Sequence, residues 1–174
     1  MPPSDKRALP LVLMAGSGLI LAACSTTDST HDPLASSGAP VPRAGYDWHL
    51  NQDDQEISLA YGMVDTDDVP LDLSCQPRTG TVNILHTTEG GGGPRIQLES
   101  GGDTETYPAK AEPAALGDGL DLTAKASSTD PVFLRFRQLG WLAVHGEQGR
   151  EPYVATPSAR SGIEQFFSLC DRIP

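Results

Sequence analysis

The chain has 174 residues, with 23 Asp and Glu against 12 Lys and Arg, a formal net charge of −11 and an isoelectric point near 4.6. That balance excludes nucleic acid and anionic lipid head groups as partners of the protein surface, because both need clustered cations. Length and an apolar content of 38% suffice for one domain with its own core.

The first segment carries Lys6 and Arg7, then an apolar run from Leu9 to Ala23 broken by Gly16, Ser17 and Gly18. A basic start, a short apolar stretch and small residues at its end describe a secretory signal peptide over residues 1–23. A membrane span needs roughly 20 apolar residues, so this interrupted run fits a permanent span less well. Its end, Leu21-Ala22-Ala23-Cys24, resembles the lipobox of bacterial lipoproteins. The resemblance implies cleavage before Cys24, a diacylglyceryl group on its thiol and acylation of the new amino terminus. One acyl chain anchors only marginally, whereas two or three hold a protein on a membrane. The expected location is the cell envelope, facing the periplasm, and Ser25 after the Cys favours the outer membrane over the inner. Removing a segment of net +1 (Asp5, Lys6, Arg7) takes the chain from −11 to about −12, a balance whose simplest meaning is solubility.

Residues 24–44 are rich in Ser, Thr, Pro, Gly and Ala, with Leu34 and Val41 the only large aliphatics. Such a stretch buries too little to offset ordering entropy and reads as a flexible tether. A single domain is expected over residues 45–174. With Cys24 lipidated, Cys75 and Cys170 are left as an even pair, which in an oxidising compartment reads as a disulfide. It would close a loop of roughly 96 residues, worth about 4.7 kcal/mol in the chain-entropy model. The alternatives are a catalytic thiol or a metal pair, but neither Cys lies in a C-x-x-C or beside a His.

Alternation of period two recurs along the domain: Ile57, Leu59, Tyr61 and Met63; Val69, Leu71, Leu73 and Cys75; Val82 and Ile84; Ile96 and Leu98; Leu120 and Leu122. The same reading gives a strand to Val132, Leu134 and Phe136, with Phe133, Arg135 and Arg137 opposite, then a short turn at Gln138–Gly140 and a strand from Trp141 to Val144. Tyr153–Ala155 adds another. Turn residues at 77–80, 90–94, 101–102, 117–119 and 130–131 separate the runs. The expected class is mainly β, an antiparallel sandwich or barrel-like domain with one C-terminal helix over residues 157–171. Ile163, Phe166, Phe167 and Cys170 make the helix's apolar stripe. Ser161 and Glu164 fit a capping box, while Thr156-Pro157 offers an earlier start.

Residues 46–72 hold eight acids and no Lys or Arg, densest at Asp65-Thr66-Asp67-Asp68. A solvated turn is the plain reading; a cation or partner surface, or a pair of catalytic carboxylates, is the sharper one. An EF-hand fails because Val69 and Pro70 stand where an oxygen ligand and a glycine are needed. Arg135 and Arg137 are candidate partner contacts, meeting either the acidic segment or an anionic partner. The Gly90–Pro94 loop lacks the Gly-Lys-Ser/Thr of a phosphate loop. No metal, cofactor or catalytic residue is assigned. His31, His49, His86 and His145 show no ligand spacing, and no Gly-x-Ser-x-Gly elbow occurs.

The stretches LAYGMVDTDDVPLDLSCQPRTGTVNI and PVFLRFRQLGWLAV…GIEQFFSLC resemble small exported proteins of alphaproteobacteria. That resemblance implies a β-rich fold closed by a C-terminal helix and brings no functional residues. Three function classes follow. One is a lipid-anchored, non-enzymatic binding or structural module, its partner an envelope protein or glycan. The second is an inhibitor of a secreted enzyme such as lysozyme, because the layout is similar to lipoprotein inhibitors of lysozyme. Their Ser-Gly-x-Arg-Tyr-type loop is absent, with Ser100-Gly101-Gly102 a faint echo. The third, a hydrolase, requires His86 or His145 to meet Asp65 or Asp67 in a pocket.

Overall fold

The computed structural model describes residues 39–90, 93–115 and 117–172. The signal segment, Cys24 and the tether up to residue 38 lie outside the described residues. Residues 39–43 form neither strand nor helix, and Ala39 rests against Trp141, Ala143 and Val154.

Among the described residues nine strands form one antiparallel, barrel-like sheet: β1 (Tyr46–Gln52), β2 (Ile57–Met63), β3 (Leu71–Cys75), β4 (Thr81–Thr88), β5 (Arg95–Ser100), β6 (Asp103–Pro113), β7 (Leu120–Ser127), β8 (Trp141–Gly146) and β9 (Gly149–Val154). Their spatial order is β1-β2-β3-β4-β7-β6-β5-β8-β9. The first four strands are a meander. The chain then crosses over β7 and β6 to start β5, and returns through β6 and β7. β6 is long enough to serve two neighbours, pairing with β5 through Asp103–Pro108 and with β7 through Ala109–Pro113.

The period-two residues do what alternation requires. Ile57, Leu59 and Tyr61, then Leu71, Leu73 and Cys75, then Val82, Ile84 and His86 are buried, while the residues between them are half-buried or exposed. Met63, expected on the core face, is instead partly exposed at the end of β2.

β1 and β9 are the two edge strands, and their seam is bridged by side chains. Trp48 Nε1 donates to the Tyr153 carbonyl at 3.3 Å. Asp47 accepts from the Thr156 backbone N–H at 3.0 Å and from its hydroxyl at 2.5 Å.

A second helix, α1 (Pro131–Leu139), corrects the sequence reading of 132–137 as a strand. Pro131 stands at the first helical position, where its missing N–H costs nothing. Gly140 closes the helix at φ 73°, donating its N–H to the Phe136 carbonyl. Asp130 spends its carboxylate on the Tyr107 hydroxyl and the Ser127 N–H rather than on a cap. Val132, Phe133 and Phe136 are buried on the helical face, and Leu134 is exposed. Arg135 and Arg137 therefore do not share a strand face.

The C-terminal helix, α2 (Arg160–Cys170), is shorter than the 157–171 expected. Ala159 is its N-cap and no side chain caps it; Thr156 is committed to Asp47 instead. Its first residue joins the two helices: Arg160 donates to the carbonyls of Leu139 and Gln138 at the end of α1. A Cβ at Gly140 would strike that guanidinium. Ile163, Phe166, Phe167 and Cys170 are all buried, and Cys170 lies at disulfide distance from Cys75, with Cα atoms 5.8 Å apart. Arg78 and Gly80 of the β3–β4 turn donate their backbone N–H groups to the Leu169 and Cys170 carbonyls, so the same turn also satisfies the helix end.

Phe166 has no exposed surface and packs edge-on to Phe167 at 5.0 Å. Phe166→Ala should lower unfolding free energy by about 3–5 kcal/mol in urea titration. Phe166→Asp should not reach the folded, disulfide-bonded state, as read by circular dichroism and thiol labelling.

Candidate functional site

The antiparallel order sends alternate turns to opposite ends of the sheet. The β2–β3, β4–β5, β6–β7 and β8–β9 connections share one end; the β1–β2, β3–β4 and β5–β6 turns and both ends of α1 share the other. Each end carries a groove.

The first groove, of about 420 Å³, includes Asp67, Asp68, Glu89, Asp118 and Asp121 and no Lys or Arg among its lining residues. The acidic turn is internally bonded. Asp65 adopts φ 61°, the Thr66 hydroxyl donates to the Met63 carbonyl, and the Asp68 N–H returns to that hydroxyl. The Asp68 carboxylate accepts from the Tyr46 hydroxyl, and this bond raises the Tyr46 pKa. Arg43 stacks over the Tyr46 ring at 3.8 Å. Gly62 is required here, because a Cβ would lie 2.6 Å from the Asp68 carbonyl. Among the described residues no group of three or more His, Cys, Asp or Glu side chains is placed to hold a metal ion.

The candidate residues of the sequence do not converge. Asp65, Asp67 and Asp68 sit at the acidic end. Arg135 pairs with Asp103 at 2.7 Å, beside the β5–β6 turn at the other end. Arg137 pairs with Asp171 at 2.8 Å and stacks over Phe167 at 4.3 Å, tying α1 to the end of α2. Neither arginine meets the acidic segment, so both are occupied within the fold.

The two histidines named for hydrolysis are likewise committed elsewhere. His145 Nε2 lies 2.9 Å from Glu99, which also receives Arg150 at 2.6 Å. Arg150, in turn, covers the Trp141 ring at 4.9 Å. Hydrogen bonding from Arg150 leads the effects that hold the Glu99 carboxyl below its ordinary value. This cluster clasps β5, β8 and β9 on their outer face. Sequence alternation puts Glu99 opposite Leu98, but no local signal gives the register that brings it to His145.

His86 points inward from β4, and its Nε2 is 3.0 Å from the Tyr153 hydroxyl. Its Nδ1 has no partner among the described residues. Burial lowers its pKa to about 4, and burial likewise raises that of Tyr153. The pair is thus neutral at pH 7, a buried polar contact behind the β1–β9 seam.

The second groove, of about 430 Å³, lies at the opposite end, on the outer face of the sheet. Register aligns Ser58, Ser74, Asn83 and Lys125 in one row across β2, β3, β4 and β7. Asn83 and Lys125 line the groove, with Gln55 and Glu56 from the β1–β2 turn and Gln76 and Thr79 from the β3–β4 turn. Of these only Glu56, one of the eight acids of residues 46–72, was weighed in the sequence, because a row exists only once register is known.

Comparison with protein-family models, with curated proteins and with solved structures returns no match.

His86 should make stability depend on pH. Its folded pKa of about 4 lies below the unfolded value near 6.5, so the unfolded chain binds the extra proton between them. Its contribution is complete above about pH 6.5 and is lost as pH falls toward 4, by roughly 3 kcal/mol in all. Urea titrations of wild type and His86→Leu across that window should show the variant with the flatter pH dependence.

Proposed function

We propose that this chain is a lipid-anchored protein of the cell envelope, held through Cys24, whose domain acts as a non-enzymatic binding or structural module. The lipobox at Leu21–Cys24 and the tether after it support the anchor. The observation that carries the binding reading is the contrast between inside and outside. The barrel-like interior is filled by aliphatic and aromatic side chains, whereas both grooves are open, the second lined by polar side chains and the first carrying five carboxylates among small and apolar residues. A surface module anchored this way engages its partner at the membrane face, where local concentration compensates for weak contacts.

A second reading has a specific observation behind it. Five carboxylates with no cation among the residues lining the first groove complement a basic protein, and so favour an inhibitor of a basic envelope-degrading enzyme such as lysozyme.

Mass spectrometry of the N-terminal peptide, from native membranes, tests the anchor. The expected mass is that of a peptide beginning at Cys24 with acyl chains; Cys24→Ser should lose them and release the protein from the membrane fraction. An unmodified wild-type Cys24 refutes the anchor. Inhibition of lysozyme by the purified protein, relieved by Asp118→Asn with Asp121→Asn, would favour the second reading, and full lysozyme activity in its presence would remove it.

A further inference from the structure

The groove at the end opposite the acidic one has a donor and acceptor set that the fold leaves unspent. Among the described residues, the side-chain amides of Gln55, Gln76 and Asn83 make no hydrogen bond, and Lys125 and Glu56 make no ion pair. Thr79, by contrast, is tied to its own turn through the Gln76 carbonyl. Lys125 and the Glu56 turn stand at opposite ends of the cross-strand row. Three strand spacings separate the β2 and β7 ends of that row, roughly 14 Å.

This set selects among ligand classes. The one ammonium and one carboxylate among the lining residues stand at opposite ends of the row, so no cluster of like charge in the lining selects a simple anion or cation. An extended peptide would need either an open strand edge or an apolar side-chain pocket. β3 and β4 are laddered on both sides, and the groove's lining holds no large apolar residue. Amides that each donate and accept, spread over a length greater than one sugar ring, match a ligand whose every hydroxyl also does both.

We infer that this groove binds a neutral oligosaccharide, with Asn83 and Lys125 among its contacts. The inference deepens the binding-module reading and rests on it. No aromatic ring lines the groove, so stacking adds nothing and each sugar is held by hydrogen bonds alone. Binding is therefore weak for one domain and gains from many domains displayed on one membrane.

The test uses the full mature protein in detergent and saturation-transfer difference NMR. The probes are N-acetylchitotetraose and maltotetraose, with tetra-alanine and inorganic phosphate for comparison. The expected result is a saturable response from at least one saccharide and none from the other two probes. Asn83→Ala and Lys125→Ala should each weaken it about tenfold, the loss of one polar contact. Glu147→Gln, in the exposed β8–β9 turn and in the lining of neither groove, should leave it unchanged. Both contact variants change solvent-facing positions, and thermal melts coincident with wild type would show that the fold is kept. No saccharide response, a response to tetra-alanine or phosphate instead, or an undiminished response in both contact variants overturns the inference. The detergent-held protein reports on the groove whether or not Cys24 carries lipid. A failure here is thus distinct from a failure of the anchor, which the N-terminal peptide mass decides.

Discussion

The burial of aromatic rings against one another is the constraint from which the rest of the domain follows. The sequence has four Phe, four Tyr and two Trp, and all ten are buried. Most join one chain of contacts: Tyr46 on Tyr61, Tyr61 on Trp48, Trp48 on Phe136, Phe136 on Phe167, and Phe167 on Phe133 and Phe166. The chain starts in β1 and β2 and ends in the two helices. Each ring is worth a few kcal/mol against truncation, and ring pairs add a further increment beyond area. Trp48 has two tasks, packing on Phe136 and donating across the seam to Tyr153. The sheet's edges are thus held by the core rather than by a continuous ladder. The Cys75–Cys170 pair, with Arg137–Asp171 beside it, secures the far end of α2 to the same body.

A core filled this way leaves the grooves to the outer surface. One of its buried polar contacts, His86 with Tyr153, is neutral at pH 7 and serves the packing behind the seam. The outer surface is then divided by strand direction. The groove at one end is lined by five carboxylates and no cation; the groove at the other is lined by Gln55, Gln76, Asn83, two threonines, Glu56 and Lys125. The strong negative charge of the whole chain is therefore unevenly expressed: one groove has five carboxylates in its lining and no cation, and the other has one of each sign. Two grooves of different chemistry on one domain are compatible with the proposed module reading and share no lining residue.

How far the fold could be read from the residues depended on where periodicity was unambiguous. Ile57–Tyr61 and Leu71–Cys75 alternate cleanly because one face is core and the other is not. The Ile163–Cys170 stripe is equally plain, although its start was not: Thr156 looked like a helix opener and is instead the seam's link to Asp47. The run PVFLRFRQLG misled because a short apolar run reads both ways. With alternation favoured, Leu134 belonged in the core, whereas the Pro131 and Gly140 boundaries, correctly weighed, place it outside. β6 left no mark because only Tyr107 along its length is buried. The site was less accessible still. Arg135 and Arg137 stand close in sequence to nothing that they pair with, and the Ser58–Lys125 row is a product of register, which no single strand encodes.

The claim on which all this rests is that the ring network closes sheet and helices into one cooperative unit, leaving function to the outer surface. Native-state hydrogen exchange measures it most directly. If the account holds, amides of β1, β9, α1 and α2 exchange through the same global opening as those of β4 and β7, with a common free energy and a common denaturant dependence. Exchange of β1, β9 and α2 at much lower free energy, while β4 and β7 stay protected, would contradict it. It would mean that the seam opens separately and that the interior is accessible to ligands after all.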